Sequence, residues 1–206
     1  NIKKKLNQKT EINEKYPTSS PKSLYGFTKL SSEDLIKELS FTFKLKYIIN
    51  RFGVIAGPWQ FGKQDQGFVS LWVANHLFKK KLSYIGFGGF GHQVRDIIHI
   101  DDACKIIFLQ ISKISKINNI TLNIGGGRKN TISLRRLTQK VQKISGNKIK
   151  IRRITKTSFF DIPYFVTNNN KVKKFYKWKP LKSIDQILKD IYIWLHDNKM
   201  IIKYFK

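Results

Sequence analysis

SPKSLYGFTKLSSEDLI, residues 20–36, places a helix directly after a turn. Its Pro21 and Ser23 close a polar opening, NIKKKLNQKTEINEKYPTSSPKS (1–23), which reads as an exposed loop. Leu24, Phe27, Leu30, Leu35, Ile36 and Leu39 then recur near the helical period, so the spacing predicts a helix over 24–41 with one buried apolar face. Tyr25 and Lys29 stand one turn apart and share a side of that helix. An ammonium beside a phenol favours the phenolate, and a tyrosine so placed can remove or return a hydroxyl proton. Taken alone, Tyr-x-x-x-Lys is a weak signal that reads more readily as the solvated face of an ordinary helix.

Downstream, strands and helices alternate, which is the pattern of an α/β fold with a parallel sheet. KYIINRFGVIAG (46–57) is an apolar, β-branched run that ends at Gly57 and Pro58 and reads as one buried strand. A helix is expected over 67–80, then short strands at 82–86 and 96–100. Asp101 and Asp102 sit where carboxylates complement the dipole of a following helix. TLNIG (121–125) is a strand, Ser133 caps a helix that runs to Ser145, and Gly146 stops it. A basic strand, IPYFV (162–166), a short helix from Asn170 and an amphipathic helix over 183–198 complete the chain.

Gly86, Gly88 and Gly91 spell G-x-G-x-x-G, but a dinucleotide fingerprint needs its glycines to open a helix whose amides meet the pyrophosphate. Here they lead into HQVRDIIHI, a strand, so a hairpin turn is the reading. Gly125, Gly126 and Gly127 lie between a strand and a helix but lack the third glycine, whose place is taken by Asn130.

The net charge of +27 points first to nucleic acid. Its distribution argues against that: lysines run along the whole length among Ile and Asn, and no helix-turn-helix, zinc or RNP-type pattern accompanies them. The one tight cluster, KIKIRRITK (148–156), alternates as an edge strand with a solvated basic face. No apolar run approaches the roughly 20 residues that span a bilayer. The single Cys104 fits a reducing compartment such as the cytoplasm and is read as a small buried side chain. His76, His92, His99 and His196 lack metal-ligand spacing and are read as structural.

In order along the chain, LYGFTK, INRFGVIAGP, GGFGHQVRDIIHIDD, LNIGGGRKNTISLRRL and DIPYFVTNNNKVKKFYKWKP resemble successive motifs of the extended short-chain dehydrogenase/reductases, the NAD-dependent epimerase/dehydratase family. GPWQFGKQDQGFV resembles the CDP-paratose 2-epimerase (CDP-tyvelose epimerase) branch. The resemblance implies the later part of a Rossmann-type parallel sheet over 24–130, with an insertion at 58–95 on the substrate side, and a small α/β substrate-binding domain over 131–206. It implies epimerisation of a nucleotide-linked sugar, at C2 of a CDP-dideoxyhexose for that branch, through hydride transfer to NAD and a keto intermediate, in surface-polysaccharide synthesis. Tyr25 would be the acid/base, Lys29 would serve the tyrosine and the nicotinamide ribose, and Phe52 would lie by the nicotinamide. Arg95 would pair with the diphosphate, and Gln60 and Gln66, with Asp65, would belong to the substrate loop. No metal, membrane or nucleic acid is implied, and a homodimer through the Tyr25 helix is.

Four departures stand out. No strand carrying a catalytic Ser or Thr precedes Tyr25; only Ser19, Ser20 and Ser23 are nearby. Ser158 takes the place of a second diphosphate arginine, with Lys156 the nearest cation, and Val54 takes the place of an asparagine. No β-α-β units with a glycine loop precede the helix, the chain opens at Asn1, and its only methionine is Met200. The expectation is therefore a piece of a longer gene product, one that lacks the NAD-binding half.

Overall fold

Gly53 divides what the sequence presents as a single strand. β1 (Ile48–Phe52) runs parallel to β5 (Ile120–Ile124), whereas β2 (Val54–Ala56) changes partner and runs parallel to β4 (Val94–His99). The Gly53 amide donates to the Ile124 carbonyl at 2.8 Å, and a Cβ there would come within 2.9 Å of Thr167 Oγ1 and 3.3 Å of Asp96 Oδ1. The joint therefore needs a residue without a side chain. The computed structural model describes residues 10–19, 21–63 and 66–205.

β4 is the hub of its sheet: besides β2 it pairs antiparallel with β6 (Thr131–Ser133) and parallel with β8 (Tyr164–Phe165). A separate parallel ladder joins β3 (Leu82–Ile85) to β7 (Ile151–Ile154). The glycine-rich segment 86–91 is thus no hairpin, because the strands it joins pair elsewhere; it folds as a 3-10 turn over Phe87–Gly89. In β7, Ile151 and Ile154 are half-buried while the adjacent Arg152 and Arg153 both face solvent, so the basic residues are solvated as expected but the strand does not alternate.

Two cores form. In the first, α2 (Phe68–Leu77), α4 (Leu134–Ser145) and α6 (Ile184–Asp197) interlock through Trp72, Leu137, Val141, Ile187, Leu188 and Ile191. Fully burying such a side chain is worth about 1.5–3 kcal/mol. Ser183 and Gln186 form a capping box that starts α6. In the second core, α3 (Ile100–Lys113) and α5 (Asn170–Tyr176) cover β1 and β5 through Ile98, Ile106, Leu122, Val172 and Trp178. Cys104 of α3 is exposed rather than buried, because the inward stripe of that helix is Asp102, Ala103, Ile106 and Gln110.

α1 (Leu24–Phe43) corrects the expectation of a buried apolar face. Leu24 is 86% exposed, Phe27 58% and Leu35 59%, and Ser40 is the helix's one buried residue. Gly26, Leu30, Glu33 and Ser40, spaced along one stripe, turn toward the rest of the chain, while most of the helix's large apolar residues stay exposed.

Candidate active site

Ser23 launches α1: its hydroxyl accepts the Gly26 amide proton at 3.1 Å, which satisfies one of the donors a helix start leaves free. That sets Tyr25 in the first turn and Lys29 in the second, with Lys29 Nζ 5.3 Å from the centre of the Tyr25 ring. The tyrosine is 64% exposed. One turn further, Glu33 receives both arms of the Arg51 fork, Nε at 2.7 Å and Nη2 at 2.6 Å. This bidentate pair clamps α1 to β1 and holds the Arg51 guanidinium even more firmly protonated than usual. The sequence offered one signal for Glu33, its place a turn after Lys29.

The segment before α1, an exposed loop by its composition, is pinned at residue 12. Ile12 is 7% exposed, donates to the Val166 carbonyl at 2.7 Å and accepts from the Asn168 amide at 2.9 Å. Glu14 accepts the Asn123 amide at 2.8 Å. The strap over 10–18 therefore bridges the ends of β8 and β5. Residues 1–9 and Ser20 lie outside the described residues.

Strap, helix and strand ends enclose a cleft of about 1030 Å³. Lys29, Glu33, Arg51 and Phe52 line one side, and Phe159 and Asp161 of the 157–163 loop line the other. Its volume suits a ligand larger than a single sugar, since drug-sized ligands occupy roughly 300–1,000 Å³. Arg95 reaches its rim from β4: Nη2 donates to Asp161 Oδ1 at 3.0 Å and Nη1 to the Val94 carbonyl at 2.8 Å. Burial pulls the Arg95 pKa down while Asp161 works against that. Asp96 does not bond Arg95; it is buried beneath the cleft floor, where its Oδ2 accepts the Gly127 amide at 2.9 Å. Burial pushes this carboxyl above its ordinary range despite that bond.

The structure places Lys29 and Phe52 among the cleft residues; Tyr25, one turn from Lys29, and Arg95, which bonds the cleft residue Asp161, are not among them. Gln60 and Gln66 are not among the cleft residues. The Gln60 amide donates to the Ile55 carbonyl at 3.0 Å and accepts from Ser70 Oγ at 3.1 Å, so it braces its own loop, while Gln66 is exposed. Asp65 lies outside the described residues. Ser158 lines the cleft; Lys156 does not, and Val54 packs against the first core. Sequence reasoning gave no role to the strap or to the Arg51–Glu33 clamp.

Neither glycine cluster opens an α-helix. Gly125–Gly127 lead into a 3-10 turn, Arg128–Asn130, and then β6. A Cβ on Gly126 would collide with the Ile97 carbonyl oxygen, so that glycine lets β5 leave across β4. Among the described residues no His/Cys/Asp/Glu group could hold a metal, and no helix is long and apolar enough to cross a membrane.

The chain belongs to the NAD dependent epimerase/dehydratase family, whose model matches residues 3–125. It is 26% identical over 175 residues to CDP-paratose 2-epimerase of Salmonella typhi, a match covering 84% of this chain and 51% of that protein. It is 27% identical over 199 residues to UDP-glucuronate 4-epimerase of Thermodesulfobacterium geofontis, covering 97% and 58%. In fold it resembles the UDP-glucose 4-epimerase of Thermus thermophilus, solved in complex with NAD, with a TM-score of 0.80 at 19% identity over 92% of this chain and 58% of that one. The chain spans about half the length of the curated relatives it matches.

Proposed function

We propose that this chain supplies the acid/base helix and the sugar-nucleotide side of an NAD-dependent nucleotide-sugar epimerase. The observation that supports the reading is Lys29 in the cleft, with Tyr25 one turn away and Arg95 bonded to the cleft residue Asp161. In this reading Tyr25 takes the proton from a sugar hydroxyl and returns it after the neighbouring carbon has been inverted through a ketone. Lys29 steadies the phenolate and binds the nicotinamide ribose. Arg95 meets the diphosphate, a task suited to a planar fork with permanent charge. Phe52 closes the apolar side of the cleft, and Gln60 and Gln66 shape the loop behind it. NAD, when bound, supplies the hydride acceptor and donor. Lys29 and Phe52 fit its nicotinamide end, whereas the described glycines form no helix-opening cradle for its pyrophosphate. A CDP-dideoxyhexose handled at C2 is the substrate favoured by the Gln60–Gln66 loop and by the similarity to CDP-paratose 2-epimerase. The setting is cytoplasmic, and the surface charge serves no nucleic acid.

A second reading rests on the lack of such a cradle among the described residues: the chain alone is an incomplete piece that turns nothing over. Acid extraction of the purified protein followed by NAD quantification separates the two. Stoichiometric NAD with turnover of a CDP- or UDP-sugar supports the enzyme; NAD-free chain without turnover supports the incomplete piece. Light scattering on the same sample tests the homodimer.

A further inference from the structure

Trp59 follows Pro58 in the loop after β2 with a φ of 66°, a conformation strained for a large side chain, and it is 68% exposed. Strain of this kind persists where neighbouring contacts over-determine it, and it gathers at functional positions. Here the neighbours are aromatic. The Trp59 ring lies 5.7 Å from that of Trp194 in α6, and Phe61 meets Trp194 at 5.8 Å, Tyr204 at 5.7 Å and Phe205 at 5.8 Å. Trp194 and Phe205 are buried and anchor the cluster, whereas Trp59, Phe61 (40% exposed) and Tyr204 (53%) form its outer layer. The closing 3-10 turns, Lys199–Tyr204, follow the same plan: Ile201 and Ile202 pack on the first core, and Met200 is left 83% exposed. Large apolar groups are thus presented to solvent on a buried base, and none of them lines the cleft.

The charged residues among them are cationic. Residues 57–63 and 198–205 contain Lys63, Lys199 and Lys203 and no Asp or Glu. All three lysines are exposed, and Lys203 Nζ stands 5.2 Å from the centre of the Tyr204 ring. The bordering acids are Asp197, 3.3 Å from His196 Nδ1, and Asp65, outside the described residues. Tryptophan and tyrosine beside lysine form the set that settles at the headgroup level of a bilayer, where rings enter the acyl boundary and ammonium groups meet anionic lipids. We propose that this patch docks the chain reversibly on an anionic lipid surface. The net charge of +27 favours such an encounter at longer range, and the docking is independent of the proposed activity. Charge decides the occupant: a second copy would set the same lysines against one another, whereas anionic headgroups neutralise them.

The test is partitioning of the chain onto vesicles of phosphatidylcholine, with and without phosphatidylglycerol, read by co-sedimentation and by quenching of tryptophan emission with bromine-labelled acyl chains. Of the four tryptophans, Trp72, Trp178 and Trp194 are buried, so quenching reports on Trp59. The expected result is about 10²-fold tighter binding to the anionic vesicles, three lysines at roughly fivefold each, accompanied by quenching and weakened by added salt. Trp59→Gly suits the positive φ and removes the ring without unfolding the loop. Combined with Met200→Ser it should lower partitioning at least about tenfold, while Phe108→Ser, at an exposed position of α3, should not. A Lys63→Gln, Lys199→Gln, Lys203→Gln protein, altered only at exposed positions, should lose the preference for anionic vesicles. Equal binding to neutral vesicles, binding that survives the Trp59 and Met200 substitutions, or no binding at all would each overturn the proposal. Self-association that those two substitutions abolish, with no vesicle binding, would overturn it in favour of a second copy.

Discussion

α1 and α6 are built from similar materials and stand in opposite relations to their own chain. Both carry many apolar residues, and both begin with a serine cap. α6 turns Ile187, Leu188, Ile191 and Leu195 into the first core, where they are fully buried. α1 gives its chain the Glu33 clamp, the Ser40 bond to Leu45 and the half-buried Leu30, and leaves most of its large apolar residues exposed. The difference teaches that amphipathicity fixes which residues share a face but not what that face meets. α6 is held by burial, whereas α1 is held by Glu33 and Arg51 and is left available for chemistry.

That contrast can be broken or sharpened by measurement. Tyr25→Phe is expected to lower turnover by about 10²–10⁴-fold with nucleotide-sugar binding and the urea midpoint unchanged, since α1 contributes chemistry rather than stability; retained turnover would remove the acid/base role. Ile191→Ala, at the centre of α6, should cost about 2–5 kcal/mol in urea unfolding, with no effect on the cleft beyond stability. Glu33→Gln should cost about 1.5–3 kcal/mol, because it strips a charge-assisted fork from a half-buried arginine. If that loss proved negligible, α1 would be held by something other than its polar face.

Acid should weaken the α6 side first. His76 of α2 is fully buried, bonds the Trp72 carbonyl through Nδ1 at 2.7 Å, and has its pKa lowered by burial, with that carbonyl working the other way. A depressed folded value means that the stability it confers is complete above the ordinary histidine range, about 6.5, and is lost as pH falls through the folded value. The urea midpoint should therefore drop on acidification by at most ~1.4 kcal/mol per pH unit for this proton, and His76→Gln should flatten the slope. The smallest effect is expected from Leu35→Ala, under about 0.5 kcal/mol in the isolated chain. A loss comparable to that of Ile191→Ala would show that the outer face of α1 is already covered.

The order of helices and strands was legible because periodicity, caps and glycine stops are local signals. Ser133 and Ser183 begin helices where the sequence places them, and Gly146 ends one. What was not legible depends on contacts between distant residues. The break at Gly53 exists because Thr167 and Asp96 approach from other elements. The G-x-G-x-x-G segment looked like a hairpin because local sequence cannot reveal that β3 pairs with β7. In the site, Lys29 and Phe52, both read from ordered motifs, fall among the cleft residues, and Arg95 reaches the cleft only through Asp161. The strap was hidden because Ile12 is a lone apolar residue in a polar stretch, and its anchors, Val166 and Asn168, lie at the far end of the chain.

Among the described residues β7 and β1 each have a single ladder partner, but their other sides are guarded differently. β7 presents Arg152 and Arg153, the latter stacked 3.8 Å from the centre of the Phe90 ring, so a second strand approaching there meets like charge. β1 reads Ile-Ile-Asn-Arg-Phe, and its single arginine is tied to Glu33. Among the described residues, β7 thus has a gatekept margin and β1 one without a gatekeeper. Added salt screens the first and leaves the second as it was, so clouding of concentrated solutions that hardly depends on ionic strength would trace to β1.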